Sequence, residues 1–468
     1  MSATLGFLLA YVIVMLAVGL RLARRVSRSG DFFVASRALP AGVVFSTLLA
    51  ANIGAGSTVG ATGLGYRHGL SAWWWSGSAA AGCAVLGLWV APRMHRLASA
   101  HGFFTVGDFL EWRFDRSVRV LVSSVLWVGT LSLLAGQLLA MAWAFEVIAG
   151  LPRIVGGVLA AVIVVAYAGT GGLLASAWVN LLQLATLLVG FALALPFAWS
   201  AAGGWDVMRA AGGTGAIGYG SLGGMGISGI LGLVVVFVPS FIVSPGLLQK
   251  TFGARSARDA GRAALGNAVA LAVFAFVPAL LGMAMRAIAP GLSNPELALP
   301  QLTTDVLPPW LGALALAALF AAEISTADAV LFMLSTSLSR DLYQAVLKPG
   351  ATDAQLLRVG RAAAAAGAAL AVGLALVLPS VATALKLFYG VMTAALFVPL
   401  LVGLLTTRPG AGHARVAVVT AILTTLVLHG ALAGQDVAAW LPSVAGIGLA
   451  AVVFATAWVS RSPRAARG

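Results

Sequence analysis

The stretch "AANIGAGSTVGATGLG", Ala50–Gly65, sets five glycines and an asparagine inside a run whose apolar flanks otherwise suit a membrane helix. Glycine tolerates unwound backbone. In hydrocarbon an unwound segment persists only where protein or a water-filled cavity covers it. A second stretch of the same kind, "VPSFIVSPGLLQ", Val238–Gln249, carries two prolines, each of which removes a helix hydrogen bond and crowds the preceding turn. Two interrupted helices at corresponding places in two halves of a chain point to a binding site near the bilayer midplane.

The rest of the sequence supplies the bilayer. Of its 468 residues 60% are hydrophobic and only 9% are charged, and the mean hydropathy is +1.00. Apolar runs of the roughly 20 residues needed to cross a 30 Å hydrocarbon core follow one another end to end. They predict an all-α polytopic membrane protein of about 13 transmembrane helices near 4–22, 40–63, 70–92, 118–148, 154–169, 174–199, 225–247, 262–288, 310–337, 358–379, 384–406, 415–433 and 440–460. The first run has neither a basic lead nor a small-residue cleavage site, so it reads as a span and not a signal peptide.

The net charge of +14 lies in short clusters between these runs, which argues against a nucleic-acid partner and for the positive-inside rule. With the amino terminus outside, every basic residue except Arg67, Arg153, Arg209, Arg286 and Lys386 falls on the inner side. The expected topology is therefore amino terminus out and carboxyl terminus in. The lone Cys83 allows no internal disulfide, and the five histidines lack metal-ligand spacing.

Leaving out the first span, the breaks fall in the first and sixth of the next ten, the pattern of a five-plus-five inverted repeat. The expected organisation is an accessory helix and loop over 1–38, a first repeat over 39–199, a second over 200–406, and accessory helices with a tail over 407–468.

Five further motifs carry a family resemblance: "SGDFFVASRALP" (29–40), "GFFTVGDFLEWRFDRSVR" (102–119), "AGTGGLLASAWVNLLQ" (168–183), "SPGLLQKTFGARSARDA" (244–260) and "AAEISTADAVLFMLSTSLSRDLY" (321–343). In this order they resemble the sodium/solute symporters, whose bacterial members carry proline, pantothenate, galactose or sialic acid. The resemblance implies a LeuT-type fold with broken first and sixth core helices. It also implies a multi-pass place in the cell inner (plasma) membrane.

At 100° per residue Ala322, Ser325 and Thr326 share one helix face. Sodium is a hard cation, and hydroxyls with freed carbonyls can ligate it without a buried full charge. The resemblance assigns the Na+ site to the carbonyls of Ala50, Ile53 and Ala322 and the hydroxyls of Ser325 and Thr326. Glu323 and Asp328 flank that face on opposite sides, with a structural or a coupling role open for each. Asn180 stands where many relatives carry an aspartate of an additional sodium site, which implies one sodium per solute.

Carried over in the same way, the solute positions are Gly56, Ser57, Trp75, Ser76, Phe237, Ser240, Phe241 and Lys386, with Gln137 as a further candidate. Amides and carboxylates are too few there for a sugar. Lys386 favours a small organic carboxylate, whereas the run Trp73, Trp74, Trp75 leaves open a quaternary amine such as choline held by cation–π attraction. The expected activity is sodium-coupled symport by alternating access, from a monomer or weak oligomer in the lipid bilayer, and not an enzyme. Proton coupling through Glu323 is the mechanistic alternative. A membrane-embedded solute sensor acting through a separate partner is the alternative from another class.

Overall fold

The computed structural model describes residues 3–23, 33–168, 172–212, 218–432 and 441–459. The basic residues Arg24, Arg25, Arg28, Arg461, Arg464 and Arg467, and the starts of the first and third motifs, lie outside the described residues.

Among the described residues the regular structure is helical. Nine helices are long and apolar enough to cross a membrane, and four shorter apolar ones join them. In chain order the principal helices are α1 (Ala3–Ala23), α2 (Ala41–Asn52), α3 (Ala61–His68), α4 (Trp73–Val85), α5 (Ala91–His101), α6 (Val106–Arg113), α7 (Arg116–Ala149), α8 (Arg153–Ala168), α9 (Gly172–Ala201), α10 (Gly226–Val243), α11 (Pro245–Phe252), α12 (Ala257–Phe274), α13 (Phe276–Ile288), α14 (Pro309–Thr336), α15 (Asp353–Val377), α16 (Val381–Leu405), α17 (Ala411–Ala431) and α18 (Leu441–Val459). Helix starts follow the side chains that satisfy orphan N–H groups. Thr105 and Asp108 form a capping box on α6, Asp115 caps α7, Ser256 caps α12 and Ser380 caps α16.

Both expected breaks are present. The first lies between α2 and α3: Ile53 leaves the helix at φ −99°, ψ 92°, and the chain resumes through a wide turn over Gly56–Gly60. The second is narrower than the sequence suggests. Pro239 stays inside α10, and the chain breaks only at Ser244, whose hydroxyl accepts from the Leu247 N–H at the start of α11.

The two broken helices are tied at one end. The Leu39 N–H donates to the Gly253 carbonyl and the Arg255 N–H to the Leu39 carbonyl, both at 3.0 Å. Arg37 adds hydrogen bonds to the carbonyls of Ala98 (3.0 Å), Phe103 (2.6 Å) and Phe252 (3.3 Å).

Two sets of helices pack around these breaks. α2, α3 and α4 lie against α10, α12 and α13, while α7 packs on α8, α14, α15 and α16. α14 is buried almost all round, and α9 crosses it so closely that a Cβ on Gly190 would meet the Ala318 Cβ, the close approach that small residues allow between membrane helices. The outermost faces stay apolar, with Ile227, Val377 and Val452 each more than half exposed, as a lipid-facing surface requires.

Candidate functional site

α2 ends in mid-protein, so its last carbonyls have no intrahelical partner. α14 supplies one. The Ser325 hydroxyl is 2.9 Å from the Ala50 carbonyl oxygen and 3.0 Å from that of Ala322. The Thr326 hydroxyl is 3.2 Å from the Ala50 oxygen, 3.4 Å from that of Ala51 and 3.3 Å from that of Ile53. Ala50, Ile53, Ala322, Ser325 and Thr326 therefore form one buried group of hard oxygens, a donor set that suits sodium. Gly54 makes the approach possible, because a Cβ there would lie 2.6 Å from the Thr326 Cβ.

Beside this group runs a cavity whose walls include Gly54, Gly56, Ser57, Trp75, Gln137, Phe237, Phe241 and Thr326. Thr326 thus belongs to both the oxygen group and the cavity wall. Gln137 accepts the Ala55 N–H at 2.9 Å, and its Nε2 has no partner among the described residues, leaving a buried donor free for a solute. The apolar wall is a ring cluster: Trp75 stands 4.7 Å from Phe237, Phe237 4.8 Å from Tyr389, and Phe241 5.2 Å from Tyr389 between centroids.

Three sequence candidates do not line the cavity. Ser76 is buried nearby with its hydroxyl unpartnered among the described residues. Ser240 points away, bonding the carbonyls of Val236 (2.6 Å) and Tyr389 (3.0 Å) and the Thr393 hydroxyl; it fastens α10 to α16 and so sets the place of Tyr389. Lys386 opens instead onto a separate groove it shares with His429 and Ser443.

The charge lining the cavity comes from elsewhere. Lys250, on α11, is 2% exposed and is the one charged side chain among the lining residues described. The sequence places it among loop cations, because nothing local reveals that the chain beyond Ser244 stays within the protein. Asn52, Leu385, Phe388 and Tyr389 also line the cavity and were not singled out by sequence.

The two α14 carboxylates do face opposite ways. Glu323 Oε1 accepts the Thr58 hydroxyl at 2.8 Å, on the α3 side of the break. Asp328 accepts the Ser176 hydroxyl of α9, which in turn accepts from the Asn180 amide at 3.3 Å. Asp328 also lies within electrostatic reach of Lys250.

An all-helical membrane fold with two broken helices, the first of which meets α14 on a buried oxygen group beside a polar and aromatic cavity, defines the class of ion-coupled secondary transporters. Residues 32–421 match the model of the Sodium:solute symporter family, and the chain belongs to that family. It is 26% identical to the sodium/glucose cotransporter of Vibrio parahaemolyticus over 89% of this chain and 83% of that one. It is 27% identical to the sodium/pantothenate symporter of Escherichia coli K12 over 72% and 71%. A Na+-coupled sialic acid symporter, solved in a substrate-bound outward-open state, superposes with a TM-score of 0.80 at 19% identity over 98% of both chains, which shows the shared fold. The protein is accordingly a multi-pass membrane symporter that couples sodium to a small organic solute, not an enzyme.

Proposed function

We propose that the solute is a small organic carboxylate, imported with one sodium ion by alternating access. The observation that carries this reading is Lys250: a buried ammonium on the cavity wall attracts a carboxylate in surroundings where water screens little. Sodium is held by the carbonyls of Ala50, Ile53 and Ala322 and the hydroxyls of Ser325 and Thr326, and the Thr326 position on both sites supports coupling between them. Asp328 lies within electrostatic reach of Lys250, and Asn180 is uncharged, which supports a single sodium. A helix bundle moves against a scaffold, with the repeats spanning 39–199 and 200–406, the amino terminus lies outside the cell, and the chain works in the inner membrane as a monomer or weak oligomer. Each charge moved inward gains about 2.3 kcal/mol per 100 mV.

The ring cluster of Trp75, Phe237 and Tyr389 favours a second reading, a quaternary amine held by cation–π attraction. One experiment separates the two: the thermal-unfolding midpoint of the purified protein in sodium against potassium at fixed ionic strength, with a panel of carboxylates and quaternary amines. A ligand at a hundred times its Kd stabilises by about 2.7 kcal/mol. A sodium-dependent shift with a carboxylate, lost in Lys250→Met, supports the first reading. A shift with an amine alone, indifferent to Lys250→Met, replaces it with the second.

A further inference from the structure

Glu323 has no role in the oxygen group or the cavity wall, yet it is fully buried on α14 one residue from Ala322 and three from Thr326. Its Oε1 accepts the Thr58 hydroxyl at 2.8 Å. Its Oε2 has no hydrogen-bond partner among the described residues. Ser325 and Thr326 hold the chain before the gap, at Ala50 and Ile53. Glu323 holds the chain after it, at Thr58.

We infer that Glu323 is a positioning residue for sodium binding: by clamping the far edge of the Ile53–Ala55 gap to the same helix turn that carries Ser325 and Thr326, it fixes where the Ile53 carbonyl points. The inference rests on the sodium group proposed above. It requires an acceptor at Oε1, which a carboxylate, a carboxylic acid and a glutamine amide all provide. Without that acceptor the half-helix beginning at Gly56 is released from α14 and the Ile53 carbonyl loses its fixed direction. The Thr58 hydroxyl then retains only the Gly54 carbonyl, 2.9 Å away within its own segment.

The test is a sodium titration of the unfolding midpoint of the full chain, without solute, so that the carboxylate assignment does not enter. Thr326→Ala, with a ligand oxygen removed, should raise the half-effective sodium concentration by about tenfold or more. Glu323→Leu and Thr58→Val should each raise the sodium concentration at half effect by about tenfold or more, the loss expected for a buried hydrogen bond to an ionisable group. Glu323→Gln should stay close to wild type, and Glu323→Leu combined with Thr58→Val should be no worse than the more affected single variant, because the two share one contact. A Gln variant as impaired as the Leu variant, multiplying effects of Glu323→Leu and Thr58→Val, or an unchanged sodium response in Glu323→Leu with its midpoint lowered, would overturn the inference. Should Glu323→Leu fail to fold, Thr58→Val and Glu323→Gln decide the matter between them. A wild-type sodium response in Thr326→Ala would remove the sodium group itself and this inference with it.

Discussion

Gly54 and Thr326 occupy one space: a Cβ added to Gly54 would stand 2.6 Å from the Thr326 Cβ and 2.7 Å from the Gln137 Oε1. Real Cβ atoms do not approach so closely, so either the gap opens or α14 shifts. Gly54→Ala should therefore abolish the sodium-dependent rise in unfolding midpoint while leaving a folded, monodisperse protein. A normal sodium titration in that variant would show that the gap and α14 need not meet.

Thr326 itself separates ligand from spacer. Thr326→Ser keeps the hydroxyl and should preserve the sodium response. Thr326→Val keeps the shape and should raise the half-effective sodium concentration by about tenfold, the cost of leaving a site short of one oxygen. Equal behaviour of the two variants in sodium-driven uptake would remove the hydroxyl from the sodium group.

Lys250 and Asp328 are both buried and within electrostatic reach of each other, so removing one weakens the charge compensation of the other. Lys250→Met should lower the unfolding midpoint and abolish carboxylate uptake. Lys250→Met combined with Asp328→Asn should recover stability but not uptake. Full recovery of uptake in the double variant would assign Lys250 to structure alone.

Arg119 anchors the start of α7 through three carboxylates: Asp108 at 2.9 Å, Glu111 at 2.7 Å and Asp341 at 2.8 Å. The guanidinium fork can serve several acceptors at once, which an ammonium cannot do with the same geometry. Arg119→Ala should destabilise by about 3–5 kcal/mol, the usual cost of stranding buried carboxylates, and Arg119→Lys should recover only part of it. Unfolding midpoints of both variants in one detergent check this.

Glu296 receives the N–H groups of Val381 (3.0 Å) and Ala382 (3.3 Å) at the start of α16. Burial nevertheless holds its carboxyl above the usual range, against the pull of those two N–H groups. A carboxyl raised in the fold binds its proton more tightly folded than unfolded. Its contribution is then complete below the unfolded value of about 4.5 and declines as pH rises through the folded one. The difference in unfolding midpoint between wild type and Glu296→Gln should accordingly move against the wild type as pH is raised from that point. A difference independent of pH would contradict it.

Much of the architecture was open to a reading of the chain alone. In lipid every backbone group must be satisfied within the protein, so apolar runs declare helices, and Gly54, Gly56 and Pro245 declare where helices fail. The pairing of Ala50 and Ile53 with Ser325 and Thr326 is what the family resemblance implies, while helix geometry alone puts only the two hydroxyls on one face. What the sequence determined by itself, then, was the helical kind of the fold and the places of its two gaps, with the oxygen chemistry at the first gap implied by the resemblance. Tertiary structure alone decided which side chains meet across helices: Lys250 and not Lys386 on the cavity wall, Tyr389 held there by Ser240, Glu323 clasping Thr58. The physical reason is that these helices are apolar on nearly every face, so their pattern does not encode rotation about the axis. Rotation is settled by close packing between neighbours, and a side chain's partner is known only once that packing is complete.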